Sequence, residues 1–329
     1  MPRHFLVIIS ALTASAAVLR ADSFFVSNFN GVAQYSATSG ALMNELALPL
    51  NEGNGFGGFI DPTGMAIGAD GSLYVADANA ANPNLGIVYK FNSITGVYEG
   101  VFTSDSSLSG PVGIAFGKNG DLYVANYNYL NPNAPYFSVY NSSGALVNEF
   151  GAGPANPQII SPPTGGMAFG PNGDLYFPDG DNGVDQYTAA GTFVQSFGWP
   201  SPVANPSGIA IDSAGNIYVT DLSNNIVVEF DSAGNYVATF NPGAGWDQPT
   251  DLVFGPGGNL FITDDSGISE YNFSTLGAFE PWPGSDGTTS SGEFIVYSSV
   301  PEPGTLASFA LAGLGLALLW WRRRFGASG

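Results

Sequence analysis

Asn205-Pro-Ser-Gly-Ile-Ala-Ile-Asp-Ser-Ala-Gly-Asn-Ile-Tyr-Val-Thr-Asp221 reads as two short apolar runs folded about a glycine turn. Gly208–Ile211 is the first run, Ser213–Asn216 the turn and Ile217–Thr220 the second run. β-Branched and aromatic residues fit pleated strands, and Gly, Asn and Asp tolerate the left-handed backbone of tight hairpins. The chain continues with a third run, Ile226–Phe230, a second turn, Asp231–Gly234, and a fourth run, Tyr236–Phe240. One antiparallel sheet of four strands is therefore predicted from this unit.

The unit recurs. DPTGMAIGADGSLYVAD from Asp61, GPVGIAFGKNGDLYVAN from Gly110, PTGGMAFGPNGDLYFPD from Pro163 and QPTDLVFGPGGNLFITD from Gln248 repeat its first half, and SFFVSN from Ser23 is a partial copy. Their central aromatics are Phe25, Tyr74, Tyr123, Tyr176, Tyr218 and Phe261, spaced by 49, 49, 53, 42 and 43 residues. That is the length of a four-stranded propeller blade. The partial copy lacks an opening strand. An isolated apolar run, Glu293–Ser298 (EFIVYS), follows the last blade, and its Val296 lies 43 residues after Val253 of the preceding opening strand. The expected fold is all-β, a six-bladed β-propeller over 22–299, closed by pairing EFIVYS beside Phe24–Ser27. The P-x-G-I-A…G-x-I-Y-V-x-D pattern resembles the NHL-repeat six-bladed propellers, a likeness that implies the fold and no particular activity.

Composition narrows the chemistry. The 329 residues include no cysteine, and the only histidine is His4. Disulfides, Cys/His zinc sites, a Ser-His-Asp triad and a cysteine nucleophile are thereby excluded from the body. Between 22 and 299 only Lys90 and Lys118 oppose 26 acidic residues, a net charge of −24. Such a surface repels nucleic acid, stays soluble and attracts divalent cations.

Both ends read as targeting segments. In residues 1–21, Arg3 and His4 precede an apolar stretch, Phe5–Val18, followed by small residues. This predicts a helical secretory signal cut after Ala17 or Ala21. At the other end, Val300-Pro301-Glu302-Pro303 precedes an uncharged apolar run over 305–321 and then Arg322, Arg323 and Arg324. Seventeen residues of helix span about 25 Å, a short transmembrane helix with Trp320 and Trp321 suited to its interface and the arginines to the cytoplasmic side. Two prolines keep the preceding motif extended and accessible. Residues 300–329 resemble the PEP-CTERM protein-sorting tail. The likeness implies a Gram-negative bacterium and an exosortase-type membrane peptidase as partner. It also implies anchoring by the C-terminal helix until the tail is cut, then release or attachment at the cell surface. A plain one-pass anchor, with Pro-Glu-Pro opening the helix, is the other reading.

Three features of the body are candidate sites. Asn28, Asp77, Asn126, Asp179, Asp221 and Asp264 each end a second strand. They form either a polar collar for a cation or sugar, or side chains tied to turn backbone, and their repetition in every blade favours the second. Asp179, Asp181 and Asp185 in DGDNGVD offer alternating oxygen ligands that can wrap Ca²⁺, while no cofactor is expected. The spacing is similar to the start of an EF-hand loop, but Gly183 comes one place early and no Glu stands at the twelfth position; a solvated turn is the alternative. Asp264-Asp265 reads as one turn residue and one exposed residue. Two inserts, Ala78–Gly86 and Tyr127–Tyr136, carry Asn, Pro and Tyr that could stack on sugars or simply form loops. No local signature assigns a catalytic residue. The expected role is a non-enzymatic binding or matrix module for extracellular polysaccharide or a surface protein. The alternative is a metal-dependent hydrolase or lactonase at the propeller axis.

Overall fold

Blades 2 to 5 begin with the same hairpin, and its geometry explains the repeated sequence. In Gly68-Ala-Asp-Gly71-Ser72, Gly71 N–H donates to Gly68 O at 2.9 Å, Gly68 N–H donates to Ser72 O at 2.9 Å, and Asp70 Oδ1 accepts Ser72 N–H at 3.1 Å. Gly71 has φ 78°, a conformation costly for any residue with a Cβ. The turn recurs at Gly120, with Asn119 Oδ1 accepting Asp121 N–H at 3.1 Å, and at Gly173, with Asn172 Oδ1 accepting Asp174 N–H at 3.1 Å. The glycine and the Asx residue before it are thus required by one turn copied along the chain.

The computed structural model describes residues 22–28, 31–50, 58–59, 61–78, 86–127, 136–151, 165–180, 183–241, 248–265, 267–273, 279–281 and 294–299. Residues 22–299 form one unit of six four-stranded antiparallel sheets. Blade 1 contains Ser23–Asn28 (β1), Gly31–Ser36 (β2) and Leu42–Glu45 (β3). Blade 2 is Pro62–Ile67 (β4), Ser72–Asp77 (β5), Ile87–Asn92 (β6) and Tyr98–Thr103 (β7). Blade 3 is Pro111–Phe116 (β8), Leu122–Asn126 (β9), Tyr136–Tyr140 (β10) and Leu146–Phe150 (β11). Blade 4 is Ala168–Phe169 (β12), Leu175–Asp179 (β13), Gly183–Tyr187 (β14) and Phe193–Gly198 (β15). Blade 5 is Pro206–Ile211 (β16), Ile217–Asp221 (β17), Ile226–Phe230 (β18) and Tyr236–Phe240 (β19). Blade 6 is Asp251–Phe254 (β20), Leu260–Asp264 (β21), Gly267–Tyr271 (β22) and Phe279–Pro281 (β23).

The fourth strand of blade 1 comes from the other end of the body. Ile295–Ser298 (β24) pairs antiparallel with β1, placing Phe24 opposite Tyr297 and Phe25 opposite Val296. Ser27 N–H extends the pairing to Phe294 O at 3.0 Å. The strand is shorter than the sequence run: Phe294 precedes it without strand structure, and Glu293 lies outside the described residues. So do the signal segment 1–21 and the tail 300–329; among the described residues no helix is long and apolar enough to cross a membrane.

Blades are held to one another by aromatic wedges. In blades 2 to 5 the central aromatic of the second strand meets the residue ending the next blade's first strand. Tyr74 packs on Phe116 at 4.9 Å, Tyr123 on Phe169 at 4.8 Å and Tyr218 on Phe254 at 5.3 Å, all edge to face. Tyr176 packs in one cluster with Ile211, and Phe261 closes on Phe24 at 4.4 Å. Each aromatic pair adds about 1 kcal/mol beyond the apolar area it buries.

The inner strands crowd together at one level. A Cβ on Gly64 would lie 2.7 Å from Gly113 Cα, one on Gly113 2.6 Å from Gly165 O, and one on Gly208 2.5 Å from Asp251 Cα. Only glycine fits these positions without displacing the neighbouring backbone. In blade 6 the same position is Asp251, whose Oδ2 accepts Ile295 N–H from β24 at 3.0 Å. Burial pushes this carboxyl up to about 7, against the opposing pull of the Ile295 and Leu252 N–H groups.

A raised aspartate pKa means the folded state keeps its proton to higher pH than the unfolded chain does. Its contribution is favourable below about pH 4 and is lost as pH rises to about 7, a swing of roughly 4 kcal/mol. Asp251→Asn should therefore match the wild type at pH 4 and gain on it steadily up to pH 8 in denaturant melts. A stability difference constant across that range would contradict the assignment.

Candidate functional site

Two places gather polar groups: the axis, where the six inner strands meet, and the face where second strands end. At the axis, β4, β8, β12, β16, β20 and β24 line a cavity of about 400 Å³. Its walls are Met65, Ala66, Ile114, Ala115, Met167, Ile209, Leu252 and Ile295, with Gly64, Gly113 and Gly166 at the crowded level. Asp251 is the one carboxylate among the lining residues, and it already accepts a backbone N–H. Among the described residues no three His, Cys, Asp or Glu side chains converge to hold a metal ion.

The ends of the second strands behave as backbone ties. Asp77 Oδ1 accepts Asp61 N–H at 2.6 Å, Asn126 Oδ1 accepts Ser109 N–H at 3.0 Å and Asp221 Oδ2 accepts Ala204 N–H at 2.7 Å. In each case the donor lies just before the blade's first strand, so the side chain fixes where the chain enters the blade. Asp221 also caps its own turn through Ser223 and Asn224 N–H, and Asp264 Oδ1 accepts Gly267 N–H at 3.0 Å. In each of these four residues a side-chain oxygen accepts a backbone N–H, which is the turn-tying role. The side chain of Asn28 lies outside the described residues. Asp265 is exposed beside Gln248, as expected from the sequence.

Blade 4 differs. Asp179 and Asp185 are both fully buried, which removes them from any solvated turn. Asp185 lies opposite Phe177 on β13 and Ser196 on β15, and Ser196 Oγ donates to its Oδ1. Its Oδ2 has no hydrogen-bond partner among the described residues. Burial first, and the Asp179 charge second, raise the Asp185 pKa to about 7, while the Ser196 hydroxyl opposes the shift. Asp181 lies outside the described residues, as do most of the two Asn/Pro/Tyr inserts, over 79–85 and 128–135.

Sequence reasoning passed over Asp251. Its signal was available in the aligned first strands, where Gly64, Gly113, Gly166 and Gly208 give way to an aspartate.

Comparison with known proteins bears on the fold and the tail. The PEP-CTERM protein-sorting motif matches residues 299–324, and a beta-propeller repeat matches 193–226. No curated protein matches the chain in sequence. Among solved structures, a protein of unknown function from Bacteroides caccae is 13% identical, with TM-score 0.61, covering 85% of this chain and 100% of its own. Virginiamycin B lyase from Staphylococcus aureus is 17% identical, with TM-score 0.55, covering 80% and 84%. A protein proposed to be a gluconolactonase is 18% identical, with TM-score 0.56, covering 76% and 84%. At such identities the likeness speaks to the fold alone. The chain thus joins a six-bladed β-propeller to a PEP-CTERM protein-sorting motif.

Proposed function

We propose that the protein is an exported propeller displayed at or beyond the surface of a Gram-negative bacterium, serving as a non-enzymatic binding or matrix module. Residues 1–21 act as the secretory signal, and the apolar segment 305–321 holds the chain in the membrane with Arg322–Arg324 inside. An exosortase-type peptidase then cuts at Val300–Pro303. The observation that carries this reading is the sorting motif over 299–324, which starts as soon as β24 ends at Ser298. In sequence, the motif that the peptidase would cut thus follows the last described strand of the ring without a linker.

A binding role is supported by the character of the axis. Glycine at the crowded level of the inner strands and apolar walls below it leave little for acid–base or metal chemistry to use. Extracellular polysaccharide or a surface protein is the partner class that suits a rigid acidic platform. The inserts 78–86 and 127–136 are the recognition segments in this proposal.

The second reading is a hydrolase or lactonase acting at the axis, and Asp251 is the observation in its favour. A solved neighbour of this fold is a virginiamycin B lyase, and its histidine-to-alanine variant is catalytically inactive. The present body has no histidine to supply such chemistry.

Glu302→Ala tests the sorting step in a host that carries the peptidase. The uncut chain should accumulate in the membrane fraction, with the tail-free form reduced several-fold on immunoblots. Wild type and variant held uncut in the membrane to the same extent would make the segment a plain anchor. Metal-stimulated lactone hydrolysis lost in Asp251→Asn would replace the binding reading with the enzymatic one.

A further inference from the structure

Repetition supplies an internal control for each position of the propeller. The ladder pairs Tyr176 with Gln186, so Asp185 precedes the partner of the central aromatic. The same position in the other blades is Ala33, Tyr89, Ser138, Val228 and Ser269. Blade 4 alone places an acid there. Its second strand also ends in an acid, Asp179, diagonal to Asp185 on the same face of the sheet.

Blade 3 shows what these two positions do when they are purely structural. There the pair is Asn126 and Ser138, and Asn126 Nδ2 donates to Ser138 Oγ at 3.1 Å. Ser138 Oγ donates onward to Ser107 O at 3.1 Å. Amide, hydroxyl and carbonyl satisfy one another within the sheet. In blade 4 the amide and the hydroxyl are both replaced by carboxyl groups. Two ionised carboxylates offer acceptors only, and without a proton or a cation they cannot complete each other. Asp185 Oδ2 is left without a donor in a fully buried position. A buried charge of this kind is costly unless it is paired or bound to a metal.

We infer that blade 4 holds one divalent cation between the Asp179 and Asp185 carboxylates, with Asp185 Oδ2 as a direct ligand. The inference goes beyond the binding-module reading and stands independently of it. Ca²⁺ is the ion that fits best. It accepts irregular sets of oxygen ligands, whereas Mg²⁺ keeps several waters in strict octahedral order, which a fully buried pair has less room to supply. Ser196, already bonded to Oδ1, turns the Asp185 carboxylate so that Oδ2 faces away from that hydroxyl.

The test uses the full-length chain purified in detergent at physiological salt, with Ca²⁺ or EDTA added. Isothermal titration should show one Ca²⁺ bound per chain, and a hundredfold excess over Kd should raise Tm by about 5 °C relative to EDTA. Asp185→Asn should lose the Ca²⁺ response while melting no lower than wild type in EDTA. The double change Asp179→Asn with Asp185→Ser reproduces the pair that blade 3 already folds with. It should bind no Ca²⁺ and melt identically with Ca²⁺ or EDTA. Absence of binding by the wild type would mean that a shared proton satisfies the pair and would overturn the inference. Undiminished binding by the double variant would overturn it as well, by placing the ion elsewhere on the acidic surface.

Discussion

A stack of twisted sheets has two bare ends unless it returns upon itself, and here the return depends on a single four-residue strand. β24 supplies the inner strand of blade 1 and donates Ile295 N–H to Asp251 of the neighbouring blade, while Phe24 on the adjacent β1 packs on Phe261. The other contacts between blades are copies of one aromatic wedge, each modest in itself. They act together only if the circle is complete, because an open ring would expose Phe24, Phe25 and the free edge of β1 to water. The chain uses no disulfide for this purpose. Backbone pairing of its two ends does the work that a covalent staple does in smaller secreted domains.

Repetition also sorts the side chains by role. Where a polar residue appears in every blade, the structure finds a backbone task for it: Asp77, Asn126 and Asp221 each receive an N–H from the segment leading into their own blade. Where a residue breaks the repeat, its role is particular to its blade. Asp251 stands in a column of glycines at the axis, and Asp185 stands among small and apolar residues between blades 3 and 4. Both carboxyls are shifted towards neutrality by burial. These two departures, and not the repeated acids, are where the body differs from a plain scaffold.

Much of the fold was legible because its signals are periodic and local. The Asn/Asp-Gly turns, the central aromatics and their spacing mark five blades directly, and the missing first strand of blade 1 could be sought at the far end by counting from Val253 to Val296. Other features depend on contacts that linear spacing hides. The glycine turn after Asp179 suggested a calcium loop, yet the relation that matters is diagonal pairing across β13 and β14, with Asp185 buried beside Ser196. Asp251 looked like one acid among many until the crowding of Gly208 and Gly166 against it placed it at the axis. A ring brings together residues from blades far apart in sequence, and only closure reveals which ones.

The strand exchange that completes blade 1 is open to a direct measurement. A chain ending at Ser299 and one ending at Gly284 differ by the segment that contains β24. Thermal unfolding of the two, followed by circular dichroism, should show a cooperative transition for the longer chain. The shorter chain should show a transition lowered by more than 10 °C or broadened beyond two-state behaviour. Equal melting temperatures would contradict the closed ring.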